Sequence, residues 1–355
     1  MNKIFSLLFI IFFIGFNSLT ISQEKLFPVI QNGKWGYINE TGTIVIEPQY
    51  LQASNFYSGF AYVKIGDSGT GVNKKSPIVE DKGYINTKGE FASISGFLSG
   101  FSEAGLFYNE RARVLKNGKG VFTNSLWGFI DTSFNPVIPA EFDNAGDFSE
   151  GLAWVEVIKK FLFFVVSDKF GYIDRNGEMV IPLQFDNAGN FCDGYANITL
   201  NGKRGFIDKK GKIVVKPRFE SVKHFSNSLA PVKLNGSWGF VDTNDSLIIP
   251  AVYQEVFPFN DGLALVKQSS KWGYINAQGK FVLEPQFDEV SGFSEGLAAI
   301  KNNGKWGFIN TAGQFIIEPI YDYAYGFSNG LALVRVDGKF GYINRNGEYI
   351  WEPAK

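Results

Sequence analysis

The sequence predicts an all-β protein, a tandem array of nine three-stranded antiparallel meanders. The main observation is a Trp-Gly dipeptide, or a close variant, that recurs along the chain. Its glycine lies at Gly36, Gly83, Gly128, Gly171, Gly205, Gly239, Gly273, Gly307 and Gly341. The last five intervals are 34 residues long, and the first three are 47, 45 and 43. Such a period is typical of repeats in which each unit buries its apolar face against its neighbours.

Turn-forming residues divide each unit into three strands, which we name C, A and B in chain order. In the eighth unit these strands are expected at residues 297–301, 306–310 and 314–318. Asn303-Gly304 supplies the positive φ angles of a tight hairpin between C and A, and Gly313 suits the turn between A and B. Pro319 is expected to end strand B, because proline has no N–H for the ladder.

The segment before strand C, which we call the connector, is expected to form one helical turn. In the eighth unit it covers residues 288–296, and its apolar residues Val290 and Phe293 are three positions apart. Residues at this spacing lie on the same face of a helix. The connector would then rest on the sheet through these two side chains.

The Trp-Gly pairs are expected to be structural. Glycine inside a strand marks a bulge or a close approach by another group, and we expect an aromatic ring to pack on each of these glycines. Adding a β-carbon at a central position such as Gly273 is therefore expected to destabilise the fold. The pairs with tryptophan are Trp35-Gly36, Trp127-Gly128, Trp238-Gly239, Trp272-Gly273 and Trp306-Gly307.

The two ends of the array bear on whether it closes into a ring. The first unit opens with a strand C at residues 26–30, and the last closes with a strand B at residues 348–352. Nine complete meanders need no exchange of strands between the ends, an exchange that closed propellers often use. We expect an open, twisted solenoid or superhelix, and the alternative is a closed, propeller-like ring.

Residues 1–22 are expected to be a secretory signal peptide. Lys3 precedes an apolar run at residues 4–16, which is too short to span a bilayer and typical of a signal sequence. Thr20-Ile21-Ser22 fits a small-x-small cleavage site, so the mature array is expected at residues 23–355. No other stretch predicts a membrane span. The protein is therefore expected to be exported, in the periplasm, on the cell surface or in the medium.

The repeated pattern resembles that of the WG repeat family. In this sequence it reads Lys-Trp-Gly-Tyr-Ile-Asn, a glycine, Val/Ile-x-Glu-Pro, and then Phe-Ser-x-Gly-Leu-Ala, most clearly at residues 271–288 and 305–322. The resemblance covers the expected mature chain. It implies a bacterial, β-rich repeat protein, from a family with many exported members and mostly without an assigned biochemical role. Tryptophan is replaced at four positions, Lys82, Phe170, Arg204 and Phe340.

No catalytic constellation, cofactor site or metal site is predicted. Residues 292–296 and 326–330 match the G-x-S-x-G nucleophile elbow of hydrolases, but a serine that recurs with the repeat is expected to cap the connector turn. The single His224 lacks the further ligands that zinc needs, and Cys192 is expected to be a small buried residue. A formal net charge of −1 argues against nucleic acid as a partner. We expect no enzyme activity.

Insertions in units 2 to 4, within residues 51–171, mark a candidate binding region. The interval from the apolar strand C position to the strand A glycine is seven residues in regular units. In units 2, 3 and 4 it is 20, 14 and 16 residues. The 34-residue repeats of residues 171–355 lack such insertions. Insertions confined to one loop class map to one face of an array, often the binding face. The candidate binding residues there are Lys74, Lys75, Lys159, Lys160, Phe161 and Phe163.

The sequence therefore favours an exported, non-catalytic scaffold that mediates protein–protein interaction at the cell envelope. Its expected partner is an unidentified protein. The alternative is a carbohydrate- or glycan-binding module that uses exposed Trp and Tyr side chains. Whether the strand A aromatic residues face solvent distinguishes the two.

Overall fold

The computed structural model describes residues 25–66, 81–94, 100–118, 125–161 and 164–353. Within these ranges the chain forms nine antiparallel sheets, which are the blades of a closed β-propeller ring. Each blade holds strands C, A and B of one repeat side by side. Seven of the nine sheets also contain an additional strand, built from the connector and paired with the outer edge of strand C.

The strands follow one another in a constant order. Blades 1 to 3 contain β1 (Phe27–Gln31), β2 (Lys34–Ile38), β3 (Ile44–Tyr50); β4 (Gln52–Ala53), β5 (Phe60–Ile65), β6 (Asp81–Asn86), β7 (Phe91–Ser93); β8 (Phe101–Ala104), β9 (Arg111–Lys116), β10 (Leu126–Asp131) and β11 (Pro136–Phe142). Blades 4 to 6 contain β12 (Asn144–Ala145), β13 (Leu152–Phe161), β14 (Phe164–Asp174), β15 (Met179–Phe185); β16 (Asn187–Cys192), β17 (Tyr195–Leu200), β18 (Lys203–Asp208), β19 (Ile213–Phe219); β20 (Ser221–Val222), β21 (Leu229–Leu234), β22 (Ser237–Asp242) and β23 (Leu247–Tyr253). Blades 7 to 9 contain β24 (Glu255–Val256), β25 (Ala264–Gln268), β26 (Lys271–Ile275), β27 (Phe281–Phe287); β28 (Leu297–Asn302), β29 (Lys305–Asn310), β30 (Phe315–Tyr321); β31 (Tyr323–Ala324), β32 (Ala332–Val336), β33 (Lys339–Ile343) and β34 (Tyr349–Trp351).

The turn chemistry read from the sequence explains both hairpins of a blade. Asn303 and Gly304 have φ angles of 48° and 82°, the two positive values of a type I′ turn. In the turn between A and B, the side-chain oxygen of Asn310 accepts the backbone N–H groups of Ala312 and Gln314, both at 3.0 Å. This side-chain acceptor holds the turn closed. The predicted meander is confirmed.

Strand B differs from the prediction at its proline. Strand β30 continues through Pro319 and pairs again beyond it. Trp306 of strand A pairs with Tyr321 of strand B, and the next pair is Phe308 with Ile317. Between these pairs strand A advances by two residues and strand B by four, so strand B carries two extra residues there as a β-bulge. Since a bulged residue has no ladder partner, proline is tolerated without ending the strand.

This bulge also explains the glycine of each Trp-Gly pair. A β-carbon built on Gly307 would lie 2.5 Å from the carbonyl oxygen of Ile317 and 2.7 Å from the nitrogen of Pro319. The expectation that an aromatic ring packs on each glycine is wrong here, because the neighbouring atoms are the backbone of the bulged strand. It holds at Gly83, where a β-carbon would lie 2.8 Å from the ring of Phe91. Gly36, Gly128, Gly171, Gly205, Gly239 and Gly273 have the same surroundings as Gly307.

The connector is extended rather than helical. Val290 forms a β-bridge with Ile300 of strand C. Phe293 is 1% exposed, and its ring centroid lies 4.7 Å from that of Tyr274 in the preceding blade. Val290 and Phe293, whose spacing of three suggested a helix, instead lie at the edge of strand C and between two blades, respectively.

The hydrophobic core lies between adjacent blades rather than within one. One cluster, for example, joins Trp306, Phe308 and Ile317 of blade 8 to Phe327 and Val334 of blade 9. Each junction is therefore a two-sheet core, and no blade buries its apolar face alone. No helix in the described ranges is long and apolar enough to cross a membrane.

The open superhelix favoured by the sequence is not what forms, and the alternative of a closed ring is correct. Phe27 and Val29 of blade 1 share a buried cluster with Leu331 and Tyr342 of blade 9. The Tyr342 hydroxyl donates a 3.1 Å hydrogen bond to the carbonyl oxygen of Pro28. Side-chain packing across this junction, which we call the seam, closes the ring without an exchanged strand.

Candidate functional site

The serine of one G-x-S-x-G segment, Ser294, and the serine at the same repeat position in unit 4, Ser149, link adjacent blades, whereas the hydroxyl of Ser328 of the second segment contacts only the adjacent Asn329 in the described residues. The Ser294 hydroxyl donates to the carbonyl oxygen of Phe327 at 2.7 Å, and the Ser149 hydroxyl donates to that of Phe191 at 2.7 Å. Each bond joins one connector to the connector of the next blade. The expected cap of the serine's own connector turn is therefore wrong, since the acceptor belongs to the neighbouring blade.

By its accessible surface His224 is exposed, and Cys192, which was expected to be buried, is half-buried. Partial desolvation lowers the pKa of His224, against the opposing effect of Asp193. Burial also raises the pKa of the Cys192 thiol, which favours its neutral form. In the part of the chain that the structure describes, no group of three His, Cys, Asp or Glu side chains could hold a metal ion.

The insertion of unit 4 forms a long hairpin. Strands β13 and β14 contain ten and eleven residues, whereas strands C and A of every other blade contain five or six. At the rise of a β-strand, the additional four to six residues extend the hairpin by about 15 Å. Its tip region exposes apolar surface, since Val166 is 66% exposed.

The predicted binding residues are only partly within the described ranges. Lys159 is exposed on β13. Lys160 and Phe161 lie at the end of the same strand, with side chains outside the description, and Phe163 follows outside the described residues. Lys74 and Lys75 of unit 2 also lie outside them. Of these six residues, only Lys159 has its side chain within the description.

The strand A tryptophans do not form a series of open ring faces of the kind that a glycan-binding array would use. Trp238 and Trp306 are 9% and 6% exposed. Trp35, Trp127 and Trp272 are half-buried. Their rings contribute mainly to the junctions between blades.

A cavity of about 870 Å³ lies at the seam. Blade 1 lines it with residues including Val29, Ile30 and Trp35, and blade 9 lines it with residues including Tyr325 and Phe340. We call it the seam cavity. Its volume is in the range of small-molecule and peptide pockets, and it combines aromatic walls with a few polar groups, as such pockets do.

Within the described residues no connector covers the seam, and the seam cavity lies there. At the other eight junctions a connector phenylalanine packs on a strand A ring of the preceding blade, with centroids 4.7 to 5.0 Å apart. That phenylalanine is always seven residues before the apolar strand C position, as Phe327 is before Val334. Counting seven residues back from Val29 along the sequence gives Ser22.

Phe27 takes over part of the missing connector's role. In the other eight blades its position in strand C is alanine: Ala61, Ala112, Ala153, Ala196, Ala230, Ala264, Ala298 and Ala332. The Phe27 ring lies 5.6 Å from that of Tyr342, which has no connector phenylalanine beside it in the described residues. Burial raises the pKa of Tyr342 to about 12, so its hydroxyl remains a donor at neutral pH.

Sequence reasoning missed the seam cavity, although a signal for it was present. The motif Phe-Ser-x-Gly or a variant precedes strand C in eight units and not in the first. The replacement of alanine by Phe27 marks the same unit. These two signals indicate a cavity only when the first and last units are known to be neighbours in the structure.

Comparison with known proteins identifies the repeat and adds only fold-level likeness. A family model described as "WG containing repeat" matches residues 35–67, 127–160, 170–203, 205–238, 238–272, 272–306 and 306–340. No curated protein matches the sequence.

Solved structures with a similar fold share little sequence with this chain. AztD from Citrobacter koseri has a TM-score of 0.40 at 10% identity, over 93% of this chain and 94% of that chain. The uncharacterized protein lmo1340 from Listeria monocytogenes EGD-e has a TM-score of 0.40 at 9% identity, over 85% and 93%. The β-propeller domain of the Trilobed protease from Pyrococcus furiosus has a TM-score of 0.39 at 7% identity, over 86% and 100%. At such TM-scores these likenesses carry no argument about function.

Proposed function

This chain belongs to the WG repeat family, and we propose that it is an exported, non-catalytic ring scaffold that binds another protein at the cell envelope. The observation that carries the proposal is the long hairpin of blade 4. A ring with nine similar blades offers repeated surfaces, and this hairpin is the feature of the described residues that departs most from the repeat.

The chemistry of the hairpin suits a protein partner. It presents Lys159 and the 66% exposed Val166 on two paired strands. Exposed apolar side chains next to charged ones are typical of protein interfaces, and an apolar strand pair without cover is otherwise an aggregation hazard. In the sequence, Lys160, Phe161 and Phe163 continue this mixture of basic and apolar residues.

The absence of catalysis is part of the proposal, and it rests on how the serines are used. The hydroxyl of Ser294, in one of the two G-x-S-x-G segments, and that of Ser149, at the same repeat position in blade 4, are already committed to carbonyl oxygens of neighbouring blades. A nucleophilic serine instead needs a base that accepts its proton. The recurrence of the same bond in separate blades supports a structural role.

Export is proposed from the N-terminal sequence. The 13-residue apolar run at residues 4–16 and the small residues that follow are typical of a cleaved signal peptide. Determining the N-terminus of the protein in each fraction of a bacterial culture tests this directly. A mature chain beginning near Gln23 outside the cytoplasm is the expected result, and an intact Met1 in the cytoplasm contradicts it.

A trimmed hairpin tests the binding role. Deleting residues 159–167, with Ile158→Asn and Asp168→Gly, restores the seven-residue spacing from Val155 to Gly171. This variant is expected to stay folded, because the regular blades use the same spacing, with an Asn-Gly or Asp-Gly turn in all of them except blade 7, which has Ser269-Ser270. Affinity capture from envelope extracts after reversible cross-linking would identify the partner, and a binding assay with the purified partner would follow.

Single substitutions provide the matched control. Val166→Glu changes an apolar residue that is 66% exposed on the hairpin, and Val252→Glu changes one that is 56% exposed on blade 6. We expect the partner to be captured by the wild-type chain and by Val252→Glu, and to be lost from the trimmed variant and from Val166→Glu. Equal capture by all four proteins, or none by any, would contradict the proposal.

A further inference from the structure

The geometry of the seam points to a second binding site: the free edge of blade 1 and the seam cavity accept an extended segment of another protein, which adds a short strand to β1. The segment carries an aromatic residue followed by a small aliphatic one. This site lies on different blades from the long hairpin and does not depend on the function proposed for it.

The edge of strand C is covered in the other blades. In blade 9 the Asp322 N–H donates to the carbonyl oxygen of Arg335 at 2.8 Å, and Tyr323 and Ala324 then pair with Arg335 and Val334. The corresponding residues of blade 1 are Val29 and Ile30. In the described ranges no strand pairs with this edge of β1. An unpaired edge presents main-chain donors and acceptors to an incoming strand.

The side chain at this edge is unprotected as well. Ile30 is 43% exposed. In seven other blades the corresponding residue is polar or charged: Lys64, Glu156, Thr199, Lys233, Lys267, Lys301 and Arg335, and in blade 3 it is Leu115. Charged side chains on an edge discourage pairing with other chains. Blade 1 therefore has an apolar residue at an edge that no strand of the described ranges covers.

An aromatic ring beside the edge is left uncovered. Phe340 of blade 9 is 42% exposed, whereas Phe170 at the same strand A position of blade 4 is 7% exposed. In blade 8 the corresponding Trp306 is 6% exposed, and the Tyr323 ring of the next blade packs against it at a tilt of 49°, with centroids 5.2 Å apart. A residue paired with Ile30 would occupy the place of Tyr323 and pack against Phe340. An aromatic side chain fits that place best.

The next position of the segment requires a small aliphatic side chain. The residue that pairs there is alanine or valine in all eight other blades: Ala53, Ala104, Ala145, Ala188, Val222, Val256, Val290 and Ala324. Phe27 already fills the place of the connector phenylalanine. The seam cavity thus has room for a short strand rather than for a whole connector.

A peptide taken from the chain itself is the probe. Its sequence is that of residues 320–326, Ile-Tyr-Asp-Tyr-Ala-Tyr-Gly, which contains the strand that covers blade 9. Binding of the labelled peptide to the full chain, purified from a bacterium with its N-terminus determined, would be measured by fluorescence anisotropy. N-methylation of the residue corresponding to Asp322 removes the edge hydrogen bond and is expected to weaken binding about tenfold.

Two protein variants show where the peptide binds. Phe340→Arg is compatible with the fold, because blades 2 and 5 have Lys82 and Arg204 at that position, and it is expected to weaken binding about tenfold. Ile320→Arg changes a 58% exposed residue outside the seam cavity and is expected to have no effect.

The proposal is overturned by the absence of saturable binding, by equal affinity for the N-methylated peptide, or by unchanged binding to Phe340→Arg. The wild-type chain could instead form a dimer that the peptide disrupts and that Phe340→Arg abolishes. That result would assign the edge to a second copy of this chain and overturn the assignment to a different protein.

Discussion

Replacing Gly307 with alanine tests the backbone packing that defines the repeat. The added β-carbon would lie 2.5 Å from the Ile317 oxygen, 2.7 Å from the Pro319 nitrogen and 2.8 Å from the Glu318 carbonyl carbon. All three are backbone atoms of a bulge held by the pairs on either side, so none can move as the end of a side chain could. Overpacking costs typically 1–3 kcal/mol, and we expect about 3 kcal/mol here.

Gly292→Ala is the matched control in the same blade. A β-carbon at Gly292 meets no atom within 4 Å, and this glycine has no positive φ. We expect a change within about 0.5 kcal/mol. The assay is equilibrium unfolding in urea, followed by circular dichroism, with the midpoints of both variants compared with that of the wild type. If Gly307→Ala unfolds at the same midpoint as Gly292→Ala, backbone contact is not the reason for the glycine.

Three further predictions concern the seam, the links between blades and pH. Phe27→Ala removes the ring that fills the seam and should cost about 3 kcal/mol, measured by urea unfolding. Ser294→Ala removes the hydrogen bond to Phe327 and should cost about 1 kcal/mol by the same assay. The hydrogen bond from Lys305 lowers the pKa of Asp322 below its ordinary 3.8, so this carboxylate stabilises the fold above pH 3.8 and the contribution is lost as pH falls. Asp322→Asn should therefore lower the urea midpoint at neutral pH, and the difference should shrink at lower pH.

The first two of these predictions have a control within the chain. Phe340→Ala truncates a 42% exposed ring in the same cavity and should cost less than Phe27→Ala. The hydroxyl of Ser328 has a 3.5 Å contact with the adjacent Asn329 side chain, so Ser328→Ala should be nearly neutral where Ser294→Ala is not. Equal costs within either pair would contradict the assignment, as would a pH-independent effect of Asp322→Asn.

The local parts of a blade were predictable because their causes are local. Asn303-Gly304 forms a turn with two positive φ angles because few other residues adopt them. Gly313, with φ of 81°, follows the same reasoning. By contrast, the rule that proline ends a strand failed at Pro319, because the bulge supplies a position without a ladder partner. A spacing of three in the connector was equally uninformative, since the chain there is extended.

The candidate sites were predictable only in part. Counting residues between strand C and strand A located the long hairpin of blade 4, because an insertion interrupts an otherwise constant interval. The inserted residues have no counterparts in the regular units, so their side chains could not be compared between units in this way. Phe340 and Ile30 look ordinary within their own units, and their exposure follows from which unit lies beside them.

The sequence by itself determined the period, the three central strands of each blade, the hairpin turns and the family of this protein, because each depends on residues close together in the chain. Only the tertiary structure decided that the array closes and that the closure leaves a cavity. Tyr342 bonds to Pro28 across a separation of 314 residues. Whether those residues meet depends on the total rotation from the first blade to the ninth, and no local sequence pattern specifies that rotation.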